Sequence, residues 1–213
     1  MQTVEAAKAA RKGGRVKNKR GEGVRLRYEM IEAAGRLLEE ADELAPISLR
    51  AVAREVGVTP QSVYLHFKEK SDLVLAVIDQ RLGDLEDSLE QAAAKSNDPW
   101  NQLMARCLAY CTWGLQHPGQ YRLLFETGVT RQAGLTVQGS KGAEVFNGLV
   151  GAVSACMESG DIPKANPFEV ATDLWATLHG IVSLRNSKPS FPWPRLEPLV
   201  ERNLRHQSCV PVT

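Results

Sequence analysis

Aliphatic side chains recur every three to four residues through most of this chain, and no run alternates apolar and polar as a half-buried strand would. That periodicity restricts the fold more than composition does. The chain is expected to be all-α, each helix burying one stripe against its neighbours. At 213 residues and 43% hydrophobic content it has room for a small module beside a medium one, with enough apolar surface for a core.

Charge is placed unevenly. Nine Lys or Arg against two Glu give residues 1–27 a net charge of +7, which leaves −6 on the remainder of a chain of net +1. A basic arm on a mildly acidic body points to an anionic partner at one end, nucleic acid or a membrane surface. Residues 1–22 hold almost no large apolar side chain, and ordering them would cost about 1–2 kcal/mol per residue, so they read as a disordered arm. The arm is not amphipathic and lacks bulky apolar anchors, which argues against a membrane. With no signal-peptide core and no stretch of 18 apolar residues, the protein reads as cytoplasmic. Cys107, Cys111, Cys156 and Cys209 are too few and too irregularly spaced for a disulfide framework, and reduced thiols are expected.

From Val24, "VRLRYEMIEAAGRLLEEADE" sets Leu26, Met30, Ala33 or Ala34, Leu37 and Leu38 on one face of a first helix, which "LAPI" interrupts. Ser48 can cap the short helix "LRAVAREV", whose Leu49, Val52, Ala53 and Val56 lie together, and Gly57 stops it. Thr59 then Pro60 is a cap followed by proline at the first helical position, so a third helix begins two residues later. A fourth starts near Ser71 and is long enough to leave the N-terminal module, with Gly83 a possible point of give. Further amphipathic stretches lie near 99–116, 119–126, 141–159, 167–186 and 194–206, and "NSKPSFPWP" is too rich in proline to be helical.

Two helices joined by a glycine-containing turn of about three residues, the second short and polar outside, are what a helix-turn-helix requires. Val52, Val56, Val58, Val63 and Phe67 would bury against the first helix, leaving Thr59, Gln61, Ser62 and His66 free. Gln61 can donate and accept at once, as a bidentate contact to adenine needs, while the Thr59 and Ser62 hydroxyls suit base edges or phosphates. Lys68, Lys70 and Tyr64 can reach backbone oxygens, which set register without reading sequence.

The stretch "GVTPQSVYLHFKEKSDLVLAVI", preceded by "ISLRAVAREV", resembles the DNA-binding signature of TetR-type transcriptional regulators over roughly residues 24 to 75. The resemblance implies that Thr59, Gln61 and Ser62 face the major groove of double-stranded DNA. It implies too that Tyr64 and His66 lie against phosphates, that Lys70 clamps the backbone, and that Ser48 and Arg50 hold a phosphate from the second helix. His66 has a second reading, packing and hydrogen bonding at the helix end. The basic arm departs from many family members; it can track the minor groove or serve as a solubility tail.

By the same resemblance, 1–22 is the arm, 23–70 the helix-turn-helix domain, 71–206 a helical effector-binding and dimerisation domain with 71–95 as connecting helix, and 207–213 a tail. "DLWATLHGIVSL" resembles the Trp-x-x-x-His-Gly stretch of one TetR branch. Trp175 and His179, four apart, stack on one helix face, as a pocket wall with an imidazole free for a small-molecule effector or as a satisfied helix interface. Tyr110, Trp113, Phe125 and Phe146 can likewise line a cavity or fill it. Cys107 and Cys111 sit one turn apart, but three or four ligands make a metal site and an intrahelical disulfide is strained, so no metal and no cofactor is expected. In the family two C-terminal helices pair with their copies in a homodimer. The stretch 167–186 and Leu196, Leu199, Val200 and Leu204 fit that role, and a two-fold dimer favours a palindromic operator. No histidine has a Glu three residues before it, and neither a phosphate loop nor a nucleophile elbow occurs, so the chain does not read as an enzyme.

Overall fold

The computed structural model describes residues 22–40, 47–127 and 140–208. The arm, "LAPI" up to Pro46, Cys209 and the end of the tail lie outside the described residues. Among those described there are nine helices and no strand, as the periodicity predicts: α1 (Glu22–Glu40), α2 (Leu49–Val56), α3 (Pro60–Tyr64), α4 (Lys70–Ala93), α5 (Pro99–Gln116), α6 (Pro118–Phe125), α7 (Lys141–Ser159), α8 (Pro167–Ser187) and α9 (Leu196–Ser208). No helix among the described residues is long and apolar enough to cross a membrane.

Local chemistry sets most of the ends. Ser48 Oγ accepts from the Ala51 N–H at 3.1 Å, Asp98 Oδ1 from Asn101 at 2.8 Å, and Asn166 Oδ1 from Phe168 at 3.1 Å. Each such cap is worth about 1 kcal/mol. Proline follows the cap at the start of α3, α5 and α8, where its missing N–H costs nothing. Gly57 ends α2 at φ 74°, and the Val58 N–H closes back on the Ala53 carbonyl at 2.9 Å, a left-handed cap that favours glycine.

One hydrophobic core runs through the chain. Met30, Ala33 and Ala34 of α1 pack with Val52 of α2, Val63 of α3 and Phe67, all but solvent-free. α4 buries a stripe along its length, from Leu73 and Val77 through Leu85 to Ala93, so its first half belongs to this cluster and its second half to the bundle behind. α4 is unbroken at Gly83, where a Cβ would meet only open space. Around α5, the helices α4, α7, α8 and α9 assemble into the larger bundle. Close approach demands glycine at position 114, where a Cβ would lie 2.7 Å from both the Tyr121 ring and Val182 Cγ1.

The two halves are tied by a buried charge cluster. Arg81, inside the apolar stripe of α4, donates to Glu32 and Glu39 of α1, each at 2.9 Å. Gln80 also donates to Glu32. Burial lowers the guanidinium's affinity for its proton, but the two carboxylates outweigh it and hold the group above its ordinary value. Gly35 makes room, since a Cβ there would sit 2.5 Å from Arg81 Nη2. From α6, Arg122 Nη2 reaches the Glu39 carbonyl in the last turn of α1 at 2.8 Å, where an unpaired helix carbonyl needs a donor.

In α9, Val200 and Leu204 are buried inside the protomer, against α5 and α8, while Leu196 and Leu199 are only half-buried. Its outward face carries Glu197, Arg202 and Arg205.

Candidate nucleic-acid interface and apolar cavity

α3 is held from behind and open in front. Val63 and Phe67 are buried, whereas Thr59, Gln61, Tyr64 and Lys70 are exposed and Ser62 and His66 half-exposed. Thr59 has a second duty. Its hydroxyl caps α3 by accepting from the Ser62 N–H at 3.3 Å and lies 3.0 Å from Ser62 Oγ, so the two hydroxyls act as a coupled pair. Gln61 has an exposed amide able to offer donor and acceptor together. Tyr64 is 52% exposed, as a large ring on the surface of a small helix.

Ser48 and Arg50 are exposed at the start of α2, where free N–H groups and the helix dipole favour an anion. Lys70 opens α4, whose start is fixed by the Glu69 N–H donating to Asp72 at 3.0 Å. His66 Cε1 lies 3.9 Å from where a Cβ on Gly23 would stand, so the ring abuts the start of α1 while one side stays accessible. That position serves the packing reading and leaves the phosphate reading open. Arg27 stacks over the Phe67 ring at 5.1 Å, adding a cation beside this face.

The larger half holds a half-open cavity of about 1120 Å³ between α4, α5, α6, α7 and α8. One wall is aliphatic, built by Ile78, Leu82, Leu85 and Leu89 of α4. Facing it is an aromatic wall with Tyr110, Phe125, Phe146, Phe168, Trp175 and His179. The rings touch in series. Phe146 meets Phe168 at 5.5 Å and Trp175 at 5.8 Å, edge to face, and Phe125 meets His179 at 5.9 Å. Five of the six sequence-predicted pocket residues are thus brought to one cavity. Trp113 is not: it is buried, and its ring faces His117 at 5.4 Å, one turn on, as core packing.

Behind the aromatic wall, the Tyr121 hydroxyl lies 2.5 Å from His179 Nδ1 and 3.3 Å from the Tyr110 hydroxyl. Burial pushes the Tyr110 phenol up to about 12, and Tyr121 is raised further by burial and by its tyrosine neighbour. Cys107, Cys111 and Cys156 are all buried, and burial pushes the first two thiols up to about 12. Inert thiols of this kind do not suit a redox sensor. Among the described residues no three His, Cys, Asp or Glu side chains gather as a metal site would need.

Residues 31–77 match the model for bacterial regulatory proteins of the tetR family, and residues 103–206 match the model for the tetracyclin repressor-like C-terminal domain. The chain belongs to the TetR family. Members of that family are transcription regulators with a helix-turn-helix for DNA, and α2 to α3 occupy that place here. Among solved structures, a TetR family transcription regulator from Marinobacter aquaeolei VT8 is 18% identical, with a TM-score of 0.71 over 89% of this chain and 98% of that one. A protein of unknown function from Rhodococcus sp. RHA1 is 24% identical, with a TM-score of 0.71 over 85% and 93%. The transcriptional regulator FadR from Bacillus subtilis, solved with stearoyl-CoA, is 16% identical, with a TM-score of 0.64 over 85% and 97%. At such identities the likeness is one of fold.

Sequence reasoning missed three features of this TetR-family chain. The α4 leucines were legible as a buried stripe but not as a cavity wall, because the opposing side comes from residues up to about a hundred positions away. Tyr121 sits in a helix of eight residues and carries no motif. Arg81 did leave a signal: a charged residue in phase with Ile78, Leu82 and Leu85, where only a paired charge can be buried.

Proposed function

We propose that this chain is a sequence-specific DNA-binding repressor, a homodimer that leaves a palindromic operator when a small molecule enters the cavity. The exposed polar side of α3 carries the DNA reading. Thr59, Gln61 and Ser62 would read base edges in the major groove, while Tyr64, His66, Lys70, Ser48 and Arg50 would hold phosphates. The domain boundaries at 23–70 and 71–206 follow, with α4 as the connection. A cavity larger than most drug-sized ligands need, walled by α4 itself, supports the effector reading. The FadR neighbour solved with stearoyl-CoA is in keeping with a ligand that carries a long apolar chain in this fold. Release requires that the ligand bind the DNA-incompetent shape more tightly, since equal affinity for both shifts nothing.

The dimer reading rests on α8. On its outward side Leu184 is 52% exposed, and a Cβ on Gly180, one turn before it, would meet open space. Such a face invites a second copy.

The test is selection of bound sequences from random duplex DNA at near-physiological salt, repeated with Gln61→Ala and Tyr64→Ala. One palindromic site should emerge. Gln61→Ala should cost about 1–3 kcal/mol and relax one position, and Tyr64→Ala should weaken all sequences alike. Binding without sequence preference would defeat the reading.

A further inference from the structure

The Tyr110, Tyr121 and His179 side chains form a chain of hydrogen bonds that ends at the cavity wall. Tyr121 does not line the cavity, whereas His179 does, so the ring edge bearing Nδ1 is turned away from the space. A buried phenol keeps its hydrogen, and Tyr121 has one to place. Nδ1 at 2.5 Å is nearer than the His179 carbonyl at 3.4 Å or the Tyr110 oxygen at 3.3 Å. With Tyr121 donating along the shortest of these contacts, the ring hydrogen stands on Nε2. Nε2 has no hydrogen-bond partner among the described residues.

The surroundings say what Nε2–H can meet. Lining the cavity among the described residues, the one cationic side chain is Arg106, already paired to Glu90 at 2.8 Å. Asp79 is itself among the lining residues and brings a carboxylate to the cavity. Among the described residues, a carboxylate or phosphate near His179 would thus be desolvated without a free cation and would share the cavity with a like charge. A neutral acceptor has neither cost.

We propose that the effector is a neutral, mainly apolar molecule whose carbonyl accepts from His179 Nε2–H while its chain lies along the Ile78, Leu82, Leu85 and Leu89 wall of α4. This deepens the effector reading and rests on it. His179 is then the residue that selects the ligand's polar group, and Tyr121 positions it by holding the tautomer.

Methyl decanoate, undecane and decanoate serve as probes of matched length. With full-length protein, the ester should bind about tenfold more tightly than the alkane, the size of one hydrogen bond, and more tightly than the acid anion at neutral pH. Affinities come from ligand-dependent rises in melting temperature. In His179→Phe the ester and alkane should bind equally. The Tyr121 hydroxyl keeps the backbone carbonyl of position 179 within reach there, so folding should survive. Heteronuclear NMR of the imidazole nitrogens in the unaltered protein gives a check without mutation, with Nε2 protonated and shifting on ester binding. Equal binding of ester and alkane, preference for decanoate, no binding of any probe, or a proton on Nδ1 would each overturn the assignment. A DNA-release assay with the same ester separates the two readings. Preferred binding through His179 with DNA affinity unchanged would leave the ligand chemistry standing and remove the effector role.

Discussion

Cys107 and Cys111 are one helical turn apart in the centre of α5, and both thiols are raised from 9.0 to about 12 by burial. The folded chain therefore keeps two protons that the unfolded chain releases as pH passes 9. With the folded state binding more protons, stability is fully present below about pH 9 and is lost as pH rises towards the folded values. Each group approaches about 1.4 kcal/mol per pH unit only once the unfolded thiol is fully ionised, so the pair loses about 2 kcal/mol between pH 9 and 10. Urea midpoints measured at pH 8, 9 and 10 should fall accordingly, and Cys107→Ala with Cys111→Ala should flatten the slope. An unchanged slope in that double variant would show that other groups set the alkaline limit. Neither the burial nor the titration was legible from the residues alone, because a cysteine pair at helical spacing is equally compatible with a sensor. What separates the readings is the burial of both thiols, which long-range packing around α5 supplies. Local signals, by contrast, were read correctly wherever one residue and its own backbone decide the outcome, as at Ser48, Gly57 and Thr59.

The turn between α2 and α3 is an element of that kind. Gly57 sits at φ 74° with no neighbour within 4 Å of a Cβ, so substitution there meets backbone strain and no clash. Gly57→Ala should cost about 1–2 kcal/mol, the penalty for an L-residue in the left-handed region. For a chain of this length that lowers the melting temperature by roughly 2–8 °C. Since the same turn aims α3, operator affinity should fall with it, while ligand binding in the cavity stays unchanged. Scanning calorimetry and titration with a cavity ligand distinguish this from general unfolding. α6 shows the opposite case. Nothing in "PGQYRLLF" announces that Tyr121 will contact α8, Arg122 will close the end of α1 and Phe125 will face the cavity. Those three roles arise because α6 is wedged between α1, α4 and α5, an arrangement fixed by long-range packing.

At the scale of the whole molecule, the distribution of apolar surface decides how copies meet. On α9 Val200 and Leu204 are spent in the core and the half-buried Leu196 and Leu199 remain, so α8 offers the larger exposed apolar face to an interface across the C-terminal helices. Phe168, Trp175 and Leu184 are the exposed large hydrophobic residues on α8, and the first two also border the cavity. Leu184 does not, which makes it the position where the interface can be altered without touching the ligand site. Leu184→Glu would bury two unpaired carboxylates across a two-fold axis, one from each copy, at a cost of several kcal/mol per ion. Sedimentation at micromolar concentration should show the unaltered chain as a dimer and the variant as a folded monomer, with the lower melting temperature that loss of the dimer linkage brings. On DNA the consequence is specific. Two recognition helices set about 34–36 Å apart engage both half-sites together, and a monomer loses that linkage. The variant should thus lose far more affinity for the palindrome than for an isolated half-site, and a variant that remains dimeric would move the interface away from α8.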